Sequence, residues 1–289
     1  MDKAYDTSGK IFQQVSMRYQ PGLLDQLKTI AKEDIVVVQG TYDHVEKLLD
    51  TIKVPYIMIT PEEMSSHNGG RVMFVNCRSY EGPLAKKTKE SINSFVEEGG
   101  RLITTDWSLG LVTKLFPGKF THTKTTSDDV VEIKCPTDLG RKFVGMNYAQ
   151  CRPKWWLENS SHIYSIGDGV IPIITSDEMK TKYGQPYVVS GFTQGKGEVL
   201  HFISHLELQR TQLRSKEDKG SLEEFLKNMK VEKTAEMDDA TVAELEAAYS
   251  TLNTVAYLCL DNPLLGETSM NSIMSKTKPS DGLKSIKLV

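Results

Sequence analysis

The stretch Ile35–Thr41, with the sequence IVVVQGT, decides the fold. Its four β-branched residues, Ile35–Val38, predict a strand that is buried on both faces, because a strand with one solvent-facing side would alternate with polar residues. Gln39 and Gly40 end the strand, and Thr41 can N-cap a helix that carries apolar residues at helical spacing. A buried strand that leads directly into a helix is the opening of a βα unit.

The same alternation continues on the C-terminal side of this unit. Val54–Thr60 and Val72–Val75 predict a second and a third strand. A helix over residues 84–98 then stops at Gly99 and Gly100, before a fourth strand at Leu102–Thr104. Strands that are separated by helices predict βαβ units. We therefore predict an α/β fold with a doubly wound, mostly parallel sheet.

From about residue 121 the pattern changes to short strand-like pieces that are separated by glycine-rich turns, which predicts antiparallel strands at one edge of the sheet. These pieces are Val130–Ile133, Ile163–Ser165, Val170–Ile174 and Tyr187–Val189. Glu198–Ser204 follows a Gly-Lys-Gly turn and is predicted to be the last central strand. Helical segments over 222–229 and 240–259 come after it, so we expect a C-terminal helical extension.

These patterns divide the chain of 289 residues into four parts. We predict an N-terminal arm over 1–20, an α/β domain over 21–215, a helical extension over 216–266 and a disordered tail over 267–289. The tail is rich in Ser, Thr and Lys and has little apolar periodicity, which is typical of segments that do not bury a core.

The overall composition predicts a cytoplasmic protein. The formal net charge of −3 gives no bulk reason to expect binding to nucleic acid or to a membrane, and the N-terminus lacks the apolar core of a signal peptide. Cys77, Cys135, Cys151 and Cys259 have no CxxC spacing, which favours reduced thiols over disulfides or a zinc site. The six histidines form no HExxH or HxH pair, so we predict no metal and no cofactor.

Three local features carry a family resemblance. Gly99–Gly110, with the sequence GGRLITTDWSLG, combines a helix end, a strand and a sharp turn. Gly195–Glu207 contains a Gly-Lys-Gly turn, a strand and a His-x-Glu pair, and Trp155–Glu158 has the sequence WWLE. Together they resemble the class I glutamine amidotransferase-like superfamily, a flavodoxin-like α/β family that also contains ThuA-like proteins. The resemblance extends over about residues 34–210.

In that superfamily the turn after the strand is an elbow that presents a nucleophilic cysteine beside a helix N-terminus. This chain has Asp106, Trp107 and Ser108 at the turn and no cysteine, so we expect no glutamine amidotransfer through a thioester. If Ser108 replaces the cysteine, the resemblance implies that His205 is its base and that Glu207 orients the imidazole, as a Ser-His-Glu triad. Otherwise Ser108 caps the following helix, and Trp107 packs against the core.

Further polar residues follow the first and third strands, at the edge of an open α/β sheet where ligands bind. The predicted ligand-binding residues are those of these two loops and of the elbow: Gln39, Gly40, Thr41, Asn76, Cys77, Asp106 and Trp107. Cys77 is either a reactive thiol or a small buried apolar residue.

The missing cysteine favours a noncatalytic amidotransferase-like module that acts as a binding or scaffold protein in an assembly. Its partner would be a protein that contacts the C-terminal helix over 240–260 or the tail. Two alternatives remain. One is a serine hydrolase or peptidase that uses Ser108, His205 and Glu207, and the other is a ThuA-like protein that binds a small molecule or a sugar. The sequence leaves the oligomeric state open.

Overall fold

The β-branched run Ile35–Val38 forms the predicted strand, and all four of its residues are buried. The computed structural model describes residues 2–67, 69–145, 153–207, 211–214, 220–237 and 240–266. The strands are β1 (Ile35–Val38), β2 (Ile57–Ile59), β3 (Val72–Val75), β4 (Arg101–Thr105), β5 (Phe120–Thr125), β6 (Asp129–Glu132), β7 (Lys154–Leu157), β8 (His162–Ile166), β9 (Ile171–Thr175), β10 (Tyr187–Gln194) and β11 (Gly197–Phe202). The helices are α1 (Asp2–Tyr19), α2 (Pro21–Lys28), α3 (Val45–Ile52), α4 (Lys86–Glu97), α5 (Leu109–Leu115), α6 (Asp138–Val144), α7 (Asp177–Tyr183), α8 (Leu222–Met229) and α9 (Val242–Leu258).

Seven strands form the central sheet in the order β2-β1-β3-β4-β11-β10-β9. The strands from β2 to β11 in this order are parallel, and β10 and β9 continue the sheet with antiparallel pairs. The parallel part has the strand order of a flavodoxin-like fold. The predicted α/β class, with a mostly parallel sheet and an antiparallel edge, is therefore confirmed.

The strand order reverses at β1, which pairs with β2 on one side and with β3 on the other. The chain runs from β1 to β2 on one side and from β3 to β4 on the other. Because crossovers between parallel strands are right-handed, these opposite directions place the connecting helices on opposite faces of the sheet. α3 packs with α1 and α9, whereas α4 packs with α5. The crevice between the carboxyl ends of β1 and β3 is the place where open α/β sheets bind ligands.

The predicted N-terminal arm over 1–20 consists largely of helix α1. Its Ile11 and Phe12 are buried in the core, and the hydroxyl of Tyr5 donates a hydrogen bond to the carbonyl of Glu207. The helix packs along α9. The sequence does not predict this buried face, because only a few of its residues are large and apolar and the rest of the segment is polar.

Two small antiparallel sheets, β5 with β8 and β6 with β7, accompany the central one. β7 contains Trp155 and Trp156, which are each only 1 % exposed. The indole of Trp155 donates to the hydroxyl of Ser204 over 2.7 Å. The sequence did not indicate β5, because every residue after its first is exposed and the strand has no apolar alternation.

The C-terminal helices pack against the rest of the protein. Thr241 N-caps α9 in a capping box with Glu244, and the helix is buried on almost all sides. It is enclosed by α1, α3, α6 and α8. The predicted tail over 267–289 lies outside the described residues. Among the helices that the structure describes, none has the length and apolar content needed to cross a bilayer.

Arg101 joins the segment at the end of α9 to the amino-terminal edge of the sheet. Its Nε atom is 3.0 Å from the carboxylate of Glu198 on β11, and both side chains are buried. The same guanidinium donates to the carbonyls of Leu258, Leu260 and Asn262. A buried ion pair is maintained only while both partners and the surrounding hydrogen bonds are present.

We expect Arg101→Leu to lower the free energy of unfolding by about 3–5 kcal/mol, because the change leaves the Glu198 carboxylate buried without its partner. Urea denaturation measures this loss, and Arg101→Leu/Glu198→Leu should lose less than the sum of the single variants. Arg71→Leu is the matched control. Its side chain is 31 % exposed and pairs with Asp34 and Asp261, so its loss should stay below about 1 kcal/mol. Equal losses in the two arginine variants would contradict the prediction.

His201 on β11 is held in the core as a neutral imidazole. Its ring centroid is 5.8 Å from that of Phe120 and 5.1 Å from that of Tyr164, and the side chain is fully buried. Nδ1 lies 2.9 Å from the hydroxyl of Thr104. Burial disfavours the imidazolium and lowers the pKa of His201 to about 3, and the nearby His162 adds to this shift.

Acidification should therefore destabilise the protein through His201. The unfolded chain binds this proton near pH 6.5 and the native state only near pH 3, so stability decreases as the pH falls between these values. One proton contributes about 1.4 kcal/mol per pH unit. His201→Gln removes the proton and keeps a polar side chain, so its free energy of unfolding should fall less steeply in urea titrations over this range. Parallel pH curves for the two proteins would show that His201 does not titrate as described.

Candidate functional site

The loops after β1 and β3 lie against each other at the switch point of the sheet. The amide of Thr41 donates to the carbonyl of Cys77 over 2.8 Å. A Cβ atom added to Gly40 would lie 2.5 Å from the Cβ of Asn76 and 2.8 Å from the carbonyl oxygen of Cys77. Because neither contact is sterically allowed, Gly40 is required by the close packing of the two loops.

Asn76, Ser108 and Gln39 make structural hydrogen bonds at this edge. Oδ1 of Asn76 accepts from the amide of Val45 at the start of α3, and Nδ2 donates to Glu46 over 2.9 Å. The hydroxyl of Ser108 donates to the main-chain carbonyl of Asn76 over 2.9 Å. The amide of Gln39 donates to a carbonyl of β2. These contacts connect β1, β3 and the start of α5.

Asp106 occupies the strained position of the elbow. It directly follows β4 and has a φ of +48°, in the left-handed region that residues other than glycine seldom adopt. This conformation costs a non-glycine residue about 1–2 kcal/mol. Trp107 and Ser108 continue as a 3₁₀ turn into α5, and Ser108 has an ordinary helical φ of −66°. The residue that the elbow presents is therefore Asp106, which precedes Ser108 by two positions.

The imidazole of His205, just after β11, lies between two carboxylates. Nε2 is 3.4 Å from Oδ2 of Asp106, and Nδ1 is 3.0 Å from Oε2 of Glu158. Both are ion-pair distances. Asp106 is 2 % exposed, whereas the side chain of Glu158 is 26 % exposed. Burial alone would lower the pKa of His205, but contacts with Asp106, Cys77 and Glu158 outweigh burial and raise it.

The residues of the predicted Ser-His-Glu triad are directed to different partners. Ser108 bonds to a main-chain carbonyl, both ring nitrogens of His205 face carboxylates, and Glu207 pairs with Nζ of Lys47 over 3.0 Å. A general base needs a free ring nitrogen that points at the serine hydroxyl. This geometry therefore does not favour a serine nucleophile.

Cys77 completes a buried cluster with Asp106 and His205. Its Sγ atom is 3.5 Å from Oδ2 of Asp106, and the donor atoms of the three side chains all lie within 4.8 Å of one another. Burial raises the pKa of Cys77 to about 11; contact with His205 opposes this shift, and the charge of Asp106 adds to it. Because a thiol is a far weaker nucleophile than a thiolate, this environment does not activate Cys77.

Two acidic residues that the sequence did not single out support the cluster. Asp43 is fully buried, and its carboxylate accepts the amides of Leu206 and Glu207 over 3.2 Å each. Glu158 is part of the WWLE motif, but the sequence assigns no role to it because the motif was considered for its two tryptophans. No spacing rule links Glu158 to His205, because β7 belongs to a separate small sheet. The position of Asp43, shortly after β1, could have predicted that it lies at the ligand-binding edge of the sheet.

An aromatic rim, formed by Tyr42, Trp107 and His162, borders the elbow. Tyr42 and Trp107 meet edge to face with ring centroids 5.4 Å apart, and Trp107 stacks with His162 at 6.2 Å. The indole of Trp107 donates to the carbonyl of Ser160 over 2.8 Å, which fixes its orientation. Burial lowers the pKa of His162, and the neighbouring His122 adds to this shift. Tyr42 is 51 % exposed, so the rim reaches solvent.

Solved structures similar to this chain include amidotransferase-like and ThuA-like proteins. A glutamine amidotransferase from Methylobacillus flagellatus has 12 % identity and a TM-score of 0.47, and the match covers 89 % of this chain and all of that one. A ThuA-like protein from Bacteroides uniformis has 9 % identity and a TM-score of 0.42, over 61 % of this chain and 83 % of that one. A β-galactosidase from Rahnella sp. R3 has 12 % identity and a TM-score of 0.42, over 61 % of this chain and only 29 % of that one.

These similarities are too weak to assign an activity, a ligand or a partner. No protein-family model matches the chain, and no curated protein matches its sequence.

Proposed function

We propose that this protein is a noncatalytic, amidotransferase-like binding module that acts within a protein assembly in the cytoplasm. The elbow is the observation that carries the proposal. The position that presents a nucleophile in the superfamily carries Asp106, whose carboxylate is 3.4 Å from Nε2 of His205. A serine or cysteine nucleophile needs an imidazole that accepts its proton. His205 faces a carboxylate with each ring nitrogen, so it is not available for that role.

The carboxylate of Asp106 is itself poorly placed for covalent chemistry. Carboxylate nucleophiles occur in several enzyme classes, but they must reach the substrate. Asp106 is 2 % exposed, and the neighbouring Trp107 is held in place by its hydrogen bond to Ser160. A groove of about 670 Å³ lies at the opposite, amino-terminal edge of the sheet, where Arg71 and Gly100 contribute to its lining. The burial of the elbow residue supports binding without covalent catalysis.

Two surfaces are candidates for the protein partner. α9 is enclosed by helices of this chain, so the segment over 240–260 offers little surface. The tail over 267–289 is the first candidate. The aromatic rim is the second, because Tyr42 is exposed there and tyrosine and tryptophan are frequent anchors of protein interfaces. The free, buried thiols of Cys77 and Cys259 support a reducing compartment such as the cytoplasm.

We expect a fluorophosphonate probe to leave the full chain unlabelled, because Ser108 donates its hydroxyl proton to the carbonyl of Asn76 and not to a base. An active serine hydrolase that is treated in parallel is the control for the probe. Ser108→Ala should leave the labelling unchanged and lower the free energy of unfolding by about 1–3 kcal/mol, since a buried carbonyl loses its donor. Labelling that disappears in Ser108→Ala would overturn the noncatalytic function.

We expect affinity capture with the full chain to recover a protein partner reproducibly. A chain that ends at Gly266 tests the tail, and Tyr42→Ala tests the rim. Tyr42→Ala should retain the thermal stability of the full chain, because this ring is half exposed, and the thermal stability of the shortened chain is measured in parallel. Loss of the partner in one variant identifies the surface that binds it. If the full chain captures no protein but binds a sugar through Tyr42, the ThuA-like alternative replaces the assembly role.

A further inference from the structure

The buried cluster contains three different metal-ligand types. Cys77, Asp106 and His205 follow β3, β4 and β11, and they offer a thiol sulfur, a carboxylate oxygen and an imidazole nitrogen within 4.8 Å of one another. Each residue is only 1–2 % exposed. The sequence predicts no metal because it contains no closely spaced ligand motif. These three residues are far apart in the sequence, so a search for such motifs does not detect them.

The distances in the cluster match the edges of a tetrahedral coordination shell. Oδ2 of Asp106 is 3.5 Å from Sγ of Cys77 and 3.4 Å from Nε2 of His205. Zinc binds sulfur at about 2.3 Å and nitrogen or oxygen at about 2.0–2.2 Å, so ligand atoms in a tetrahedron lie about 3.3–3.6 Å apart.

The surroundings of the cluster also suit a bound cation. Oε2 of Glu158 is 3.0 Å from Nδ1 of His205. A carboxylate is the usual partner of a metal-ligating histidine, because it accepts the Nδ1 proton and leaves the Nε2 lone pair for the metal. Oδ1 of Asp106 is buried and has no hydrogen-bond partner among the described residues. That oxygen or a water molecule could complete the fourth coordination position.

We propose that Cys77, Asp106 and His205 bind a divalent cation of the zinc type. A mixed sulfur, nitrogen and oxygen set favours zinc over magnesium or calcium, which prefer oxygen ligands. Binding forms a metal–sulfur bond and releases the thiol proton, and any proton on Nε2, to solvent. The thiolate and the carboxylate then balance the two positive charges. The ion connects the ends of three strands of the sheet, and its presence does not depend on the noncatalytic function proposed above.

Cobalt titration of the full chain tests this site, because cobalt(II) replaces zinc and reports sulfur ligation in its absorption spectrum. After treatment with a chelator, Co²⁺ should bind stoichiometrically, with a thiolate-to-cobalt charge-transfer band that Zn²⁺ abolishes. Cys77→Ser should lose this band. Cys135→Ser, which removes a free thiol elsewhere in the chain, should keep it. Circular dichroism of each metal-free protein establishes that the variants are folded.

Glu158→Gln tests the supporting carboxylate without touching a ligand. It should weaken the affinity for Co²⁺ by about 10–100-fold and leave the charge-transfer band in place. Glu207→Gln is the matched control, since this carboxylate pairs with Lys47, and its affinity should not change. The site is refuted if the full chain shows no thiolate band, if the band survives in Cys77→Ser, or if the two glutamate variants behave alike. Fluorophosphonate labelling is independent of all three results.

Discussion

The parallel pairing of β3, β4 and β11 is the constraint on which the site depends. The ends of these strands are in register, so the residues that follow them reach the same edge of the sheet. Cys77, Asp106 and His205 therefore meet, although the sequence separates them widely. These side chains are buried, so each polar atom needs a partner within the protein, a bound water molecule or a bound ion. The short contacts among the three side chains and Glu158 follow from that requirement.

Much of the sheet could be predicted, because its strands are buried on both faces and have compact apolar sequences such as Ile35–Val38. α1 could not be recognised in the same way, since several of its buried residues, such as Thr7, Ser8 and Ser16, are polar. β5 has no buried alternation at all. The elbow itself was identified from strand and turn signals, but not the residue that it presents. Asp106, Trp107 and Ser108 are all compatible with a helical start, and only the φ of Asp106 separates them.

The turn after β4 combines a strained backbone at Asp106 with buried polar side chains. A strained φ at Asp106 is maintained only if the surrounding contacts compensate for it. The packing of Gly40 against Asn76 and the hydrogen bond from Ser108 supply such contacts on one side. His205 and Cys77 supply them on the other. The same contacts that hold the carboxylate of Asp106 at this turn also bury it, and this burial is the basis for proposing a binding function without catalysis.

The contacts of Arg101 have a consequence for how the protein folds during its synthesis. The carbonyls that receive its guanidinium lie at the end of α9 and just beyond it, so they are translated long after β4 and β11. Domains of this size generally fold as units while the chain emerges from the ribosome. Until α9 is released, the apolar surface that this helix covers stays uncovered and can bind chaperones or other nascent chains. The core is thus covered by a helix that is made after every strand of the central sheet, and a ribosome that stalls before Leu258 would release a protein with an open core.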